Sequence, residues 1–284
     1  MKSSATRIAT STTMLQYEFM RTAFAASAVV AVVAGCVGYF LVLRGQTFAG
    51  HALAHVGFTG ATGAVLIGAS PLAGLVLMTV AAGLGMGFLG DRLANRDVAI
   101  GLVLALALGL GLLFLHFFTG FATQATSLLF GNVLAVGAST VWVLLALAVL
   151  CLGVLGAISR PLLFASLQPE LADAKGVHLK LLSAVFLAVV ALATAECTQV
   201  VGVLLVFALM VGPAATAQRL TTKIISGVLL SAAFALVEAW SGLALAFYTD
   251  WPTSFWITAI STAFYLLSRS LPLRVTHLAG GRRA

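Results

Sequence analysis

The chain alternates long runs of apolar and small residues with short polar intervals. Most runs are near the length of about twenty residues that a helix needs to cross the hydrocarbon layer of a bilayer. They cover roughly 22–43, 48–68, 71–90, 98–118, 137–158, 181–195, 200–217, 224–247 and 252–267. The pattern predicts an all-α fold, a polytopic transmembrane helix bundle of about eight or nine spans.

The polar intervals supply the organisation. Residues 1–20 are rich in Ser and Thr and lack an apolar core followed by a small-residue cleavage site, so they read as a tail and not as a removable signal peptide. A transmembrane domain follows over 21–268, and a basic tail over 269–284. The longest hydrophilic interval between spans is 160–180. Pro169 stands there near a helix start, with Glu170 and Asp173 among the early residues and Gly176 at the end, which predicts a short capped helix. A second polar stretch, 119–131, reads as a partly buried or re-entrant connector on the outer side. Glu196 and Thr198 fall at the join of the sixth and seventh runs, where Glu196 reads as a loop acid or as a charge at an outer entrance.

Composition fixes the solvent. Hydrophobic residues make up 61% of the 284 and charged residues 8%, against roughly 25% charged in an ordinary soluble domain. The formal net charge of +7 would suggest nucleic acid in a soluble protein, but here the basic residues lie between and after the apolar runs. Arg44, the 91–97 cluster, the 160–180 loop, Arg219 with Lys223, and the C-terminal tail can all be cytoplasmic in a nine-span topology, which places the N-terminus outside. The expected location is the cell membrane, multi-pass, with lipid and not nucleic acid as the surrounding partner. Cys36, Cys151 and Cys197 form no CxxC or Cys/His cluster and imply no disulfide framework.

The second run carries the candidate chemistry. His51 and His55 are one helical turn apart, and Thr59 and Thr62 continue the same stripe. Polar side chains inside a membrane are costly unless they face other helices or a wet cavity, and a neutral imidazole is a good ligand for a divalent transition metal. Hydrogen-bonded packing between helices is the alternative for the histidines. A metalloprotease is excluded because Ala52 occupies the position of the general base in His-Glu-x-x-His.

Four elements, in order, resemble a known family. Gly50-His-Ala-Leu-Ala-His55 resembles the Gly-Asp-x-Leu-x-His element of the permease subunits of the zinc, manganese and iron ABC importers, the ABC-3 family. Leu129-Phe-Gly-Asn-Val-Leu-Ala-Val136 is similar to that family's Leu-Phe-Gly-Asp-Ile-Leu-Ala-Val. Pro169-Glu-Leu-Ala-Asp-Ala-Lys-Gly-Val177 resembles its cytoplasmic Asp-Pro-Glu segment, and the stretch Val201 to Ala217 resembles its Val-Gly-x-Leu-Leu-Val…Pro-Ala-Ala-Thr-Ala element. Where the family usually has Asp, this chain has His51 and Asn132. Losing both carboxylates removes hard oxygen donors, and the remaining nitrogen donors suit zinc better than manganese.

The resemblance implies a permease that forms a homodimer with the ion path between two copies. It implies His51 and His55 as metal ligands and Thr59, Thr62, Asn132 and Glu196 along the path. Pro169, Glu170, Leu171, Ala172, Asp173 and Gly176 would form the element that engages cytoplasmic P-loop ATPases, and an extracytoplasmic metal-binding protein would deliver the ion. Zinc is the favoured cargo, manganese or iron the alternatives. No resident cofactor is expected. The sequence contains no Gly-x-x-x-x-Gly-Lys-Ser/Thr loop, so ATP hydrolysis by that route falls to partner subunits and the chain itself reads as no enzyme. The competing reading is an ion-coupled secondary metal transporter in which Glu196 and Glu238 relay protons.

Overall fold

The structure is a computed structural model that describes residues 14–89, 96–117, 131 and 133–270. These residues form nine α-helices of 18 or more residues, one short α-helix and two 3-10 turns (Met14–Gln16 and Val133–Ala135), with no strand among them. In chain order they are α1 (Glu18–Leu43), α2 (Thr47–Leu66), α3 (Pro71–Leu89), α4 (Arg96–His116), α5 (Ala138–Leu167), the short α6 (Pro169–Ala174), α7 (Leu179–Val201), α8 (Val203–Leu220), α9 (Ile224–Thr249) and α10 (Thr253–Ser270). The nine runs of the sequence become nine long helices. By length and composition alone, six are apolar enough to span a membrane: α1, α3, α5, α7, α8 and α9. Helix α2 falls outside that group because histidines, threonines and glycines dilute it, so it depends on its neighbours for its environment.

Helix α1 is the central post, packed against α5, α7, α8 and α9, while α2 lies against α3, α4, α7 and α8. Small residues make these approaches possible. A Cβ at Gly38 would strike the Met210 carbonyl of α8, and one at Gly60 would meet the Gly74 carbonyl of α3. Gly83 and Gly87 meet the Leu187 and Ala184 backbone of α7 in the same way. Gly85 faces open space and makes no such contact.

Several boundaries differ from the sequence reading. Helix α1 begins at Glu18, so the last residues of the expected tail are helical. Helix α5 continues through Pro161 to Leu167. A proline removes one intrahelical hydrogen bond, and the loss is offset here because Leu162 and Ala165 beyond it are buried. Helix α7 runs to Val201, so Glu196 lies inside a helix and is fully buried, which corrects its reading as a loop acid. The 119–130 connector, Asn132, the 91–95 part of the charge cluster and the tail beyond residue 270 lie outside the described residues.

Short connections make most successive long helices antiparallel, and the contact of Arg44 with Ser166 sets the end of α5 beside the end of α1. One end of the bundle therefore collects Arg44, the α5–α6–α7 segment, Arg219, Lys223 and Arg269, and the other holds Glu18, His116 and Asp250. At that second end Tyr248 and Trp251 are exposed, and Trp251 stacks on Trp256 at 5.6 Å. An aromatic belt of this kind marks a membrane–water boundary.

Candidate functional site

The α1–α2 turn spans three residues, Arg44 to Gln46, and α2 starts at Thr47. His51 and His55 follow in its first turns, on one face as their spacing requires. Their rings meet edge to face with centroids 4.9 Å apart at 83°. His51 is half-buried and also meets the Phe207 ring of α8 edge to face at 5.6 Å. His55 is buried, and the Nδ1 atoms of both rings are shielded without a hydrogen-bond partner. The pair is neither sealed in the core nor bonded to a neighbouring helix, so the packing alternative has no hydrogen bond to support it.

The surroundings give the pair a direction. From Ala49 to Thr62 on α2, His51 alone is not buried. Beside it Phe48 is 40% exposed, and across on α8 Leu204 and Phe207 are 48% and 42% exposed. Leu204, Phe207, Ala208 and Val211 are spaced as one helix face, and none of them is buried. The histidines thus lie at the edge of an apolar surface shared by α2 and α8.

The threonines behave differently. Thr59 and Thr62 are buried, and their hydroxyls donate to backbone carbonyls: Thr62 to Phe58 and Thr59, both at 3.0 Å, and Thr59 to His55 at 3.3 Å and across to Ala107 of α4. Thr59 therefore ties α2 to α4. Glu196 is on α7, within electrostatic reach of Cys151 on α5, and its two carboxylate oxygens have no hydrogen-bond partner. The structure brings His51 and His55 together and sets Glu196 on another helix. Among the described residues no group of three or more His, Cys, Asp or Glu side chains converges on a metal-sized site, so the described residues offer two imidazoles there.

Helix α6 has the capped form expected of it. Pro169 occupies its first turn, and Gly176 takes φ +83°, the left-handed conformation open to glycine. The Gly176 and Val177 amides close back on the carbonyls of Asp173 at 2.9 Å and Ala172 at 3.0 Å. Glu170, Leu171 and Asp173 are exposed, whereas Ala172 is fully buried. Ala172 anchors α6 from beneath and is not available for docking, a correction that follows from its position one residue after the exposed Leu171.

Residues 16–271 match the ABC 3 transport family. The chain belongs to that family. As a member it is a multi-pass membrane permease, and the competing reading as a secondary carrier falls away. The manganese transport system membrane protein MntC of Listeria monocytogenes is 30% identical over 256 residues, covering 90% of this chain and 91% of its own. The manganese import system permease protein ScaB of Streptococcus parasanguinis is 29% identical over 257 residues, covering 89% and 90%. Among solved structures, PsaBC from Streptococcus pneumoniae in complex with Fab superposes with a TM-score of 0.81 at 25% identity, covering 90% of this permease and 92% of that chain.

Proposed function

We propose that this permease forms the path of an ATP-driven importer of a first-row divalent metal, with His51 and His55 as the donors the ion meets inside the membrane. The observation that carries the reading is the pair of touching imidazoles with shielded, unbonded Nδ1 atoms at the edge of an exposed apolar face. Two nitrogens are too few for a metal that favours four ligands. Apposing two copies across the α2/α8 surface would bring four imidazoles to one axis, and this supports a homodimer. By the bias of Lys and Arg, the end that holds α6 is cytoplasmic. Helix α6 is then the dock for the ATPase subunits, through Pro169, Glu170, Leu171, Asp173 and Gly176, and the opposite end receives the extracytoplasmic binding protein.

Zinc fits an all-imidazole donor set better than manganese, which favours oxygen. The relatives named for manganese favour that metal as the second reading. One substitution separates the two. His51→Asp introduces an oxygen donor at the rim, and uptake measured with zinc and manganese in competition should shift toward manganese. Zinc preference unchanged in His51→Asp would reject His51 as a ligand, and a wild-type preference for manganese would reject the zinc assignment.

A further inference from the structure

The guanidinium of Arg44 occupies a junction that neither the ion path nor the α6 dock accounts for. Arg44 ends α1, three residues before α2 begins. Its Nη1 donates to Ser166 Oγ of α5 at 3.1 Å, and its Cζ lies 5.4 Å from the centre of the Phe186 ring of α7. The Ser166 hydroxyl gives its own hydrogen to the Leu162 carbonyl at 2.6 Å, so its oxygen is left to accept from the arginine. Ser166 stands three residues before Pro169, and α5 and α7 are the helices that enter and leave α6. Lys175, at the end of α6, lies 5.5 Å from the Phe164 ring of α5, which ties α6 to the same helix end.

On its other side Arg44 belongs to a stiff turn. The amides of Arg44, Gly45 and Gln46 bond back to Phe40, Val42 and Leu41, each at 3.0 Å. A displacement of Arg44 is therefore carried into Thr47 and, one turn on, into His51.

We propose that Arg44 is the positioning residue that transmits movement of α6 to the histidine helix. The inference rests on α6 as the ATPase dock. The planar guanidinium can stack on Phe186 and donate to Ser166 in one fixed geometry, whereas the ammonium of a lysine is a point charge on a flexible stem and does not hold both contacts rigidly. Arg44→Lys keeps the charge and loosens the link.

The test uses the full complex of permease, ATPase and binding protein in proteoliposomes, with Zn²⁺ as the probe and uptake and ATP hydrolysis measured together. Arg44→Lys should bind the ATPase in wild-type amount and hydrolyse ATP while moving about tenfold fewer ions per ATP, on the scale of coupling between linked sites. Ser166→Ala, which removes the acceptor without changing charge, should lower the same ratio by less. A wild-type ratio in Arg44→Lys overturns the proposal. So does loss of the ATPase from that variant, since Arg44 would then serve assembly. Glu170→Lys with Asp173→Lys tests the dock separately: if the ATPase stays attached, the dock is rejected, while the ion-to-ATP ratio of Arg44→Lys still reads the arginine link by itself.

Discussion

Helices α2 and α9 both carry ionisable side chains inside the bundle, and they treat them in opposite ways. On α2 the His51 ring reaches a partly open surface beside Phe48 and Phe207, and its partner His55 lies directly beneath. On α9 the Glu238 carboxylate is fully buried, and both of its oxygens lack a hydrogen-bond partner. Ser261 of α10 is close to it, but that hydroxyl is directed to the Ala208 carbonyl of α8 at 3.2 Å. A shielded polar group left unsatisfied costs about 1–3 kcal/mol. Close packing helps α9 tolerate it: Ser231 donates to the Gly35 carbonyl at 2.7 Å, and Gly227 and Gly242 admit Tyr39 and Ile257. An ionisable group in a membrane is thus a poor guide to function unless a surface leads to it. The histidines have one, and Glu238 has none.

That contrast can be broken experimentally. The largest effect belongs to His51→Ala combined with His55→Ala. Zinc uptake should fall by about 100-fold or more, since losing even an outer partner of a metal ligand costs 10–100-fold. Immunoblots of the membrane fraction should show unchanged abundance, and normal uptake would place the histidines in the same class as Glu238.

A middle effect comes from the seam that holds α8, and with it Phe207, against the central post. Gly38→Val would drive a side chain into the Met210 carbonyl, and overpacking of this kind costs about 1–3 kcal/mol. Thermal unfolding in detergent should shift downward, and zinc uptake should fall with it. An unshifted melting temperature would mean that the α1–α8 seam yields without cost.

The smallest effect is expected for Glu238→Gln, which keeps the shape and removes the ionisable group. Uptake should equal wild type, and the melting temperature should hold or rise, because a buried ionisable group without a partner is costly to keep. A marked loss of uptake with normal abundance would give Glu238 a part in transport and erase the difference between the two helices.

Much of this arrangement could be read from the chain. All nine long helices coincide with apolar runs, since only continuous apolar or small residues satisfy both the lipid and the backbone. The His51/His55 spacing and the capped α6 were equally legible, because each depends on residues a few positions apart. The misreadings share one cause. Polarity alone ends a span at the charged Glu196, although no glycine or proline interrupts residues 181–201 and the helix runs on to Gly202. Local polarity says nothing of the neighbours that bury a residue.

The same limit applies to the longer-range contacts. Thr59 looked like part of the histidine stripe, but α4 packs over it and takes its hydrogen bond. Ala172 looked available for docking until α6 folded back onto α5. The meeting of Arg44 with Ser166, 122 residues away, left no trace in either segment.

Helices α7 and α8 are joined by one residue, Gly202, at φ +81°. A joint that short leaves one residue between the helix that follows α6 and the wall beside the histidines, so any relative tilt of the two must be taken up at that glycine. Where a longer connection could bend over several residues, this one concentrates the freedom at a single backbone position.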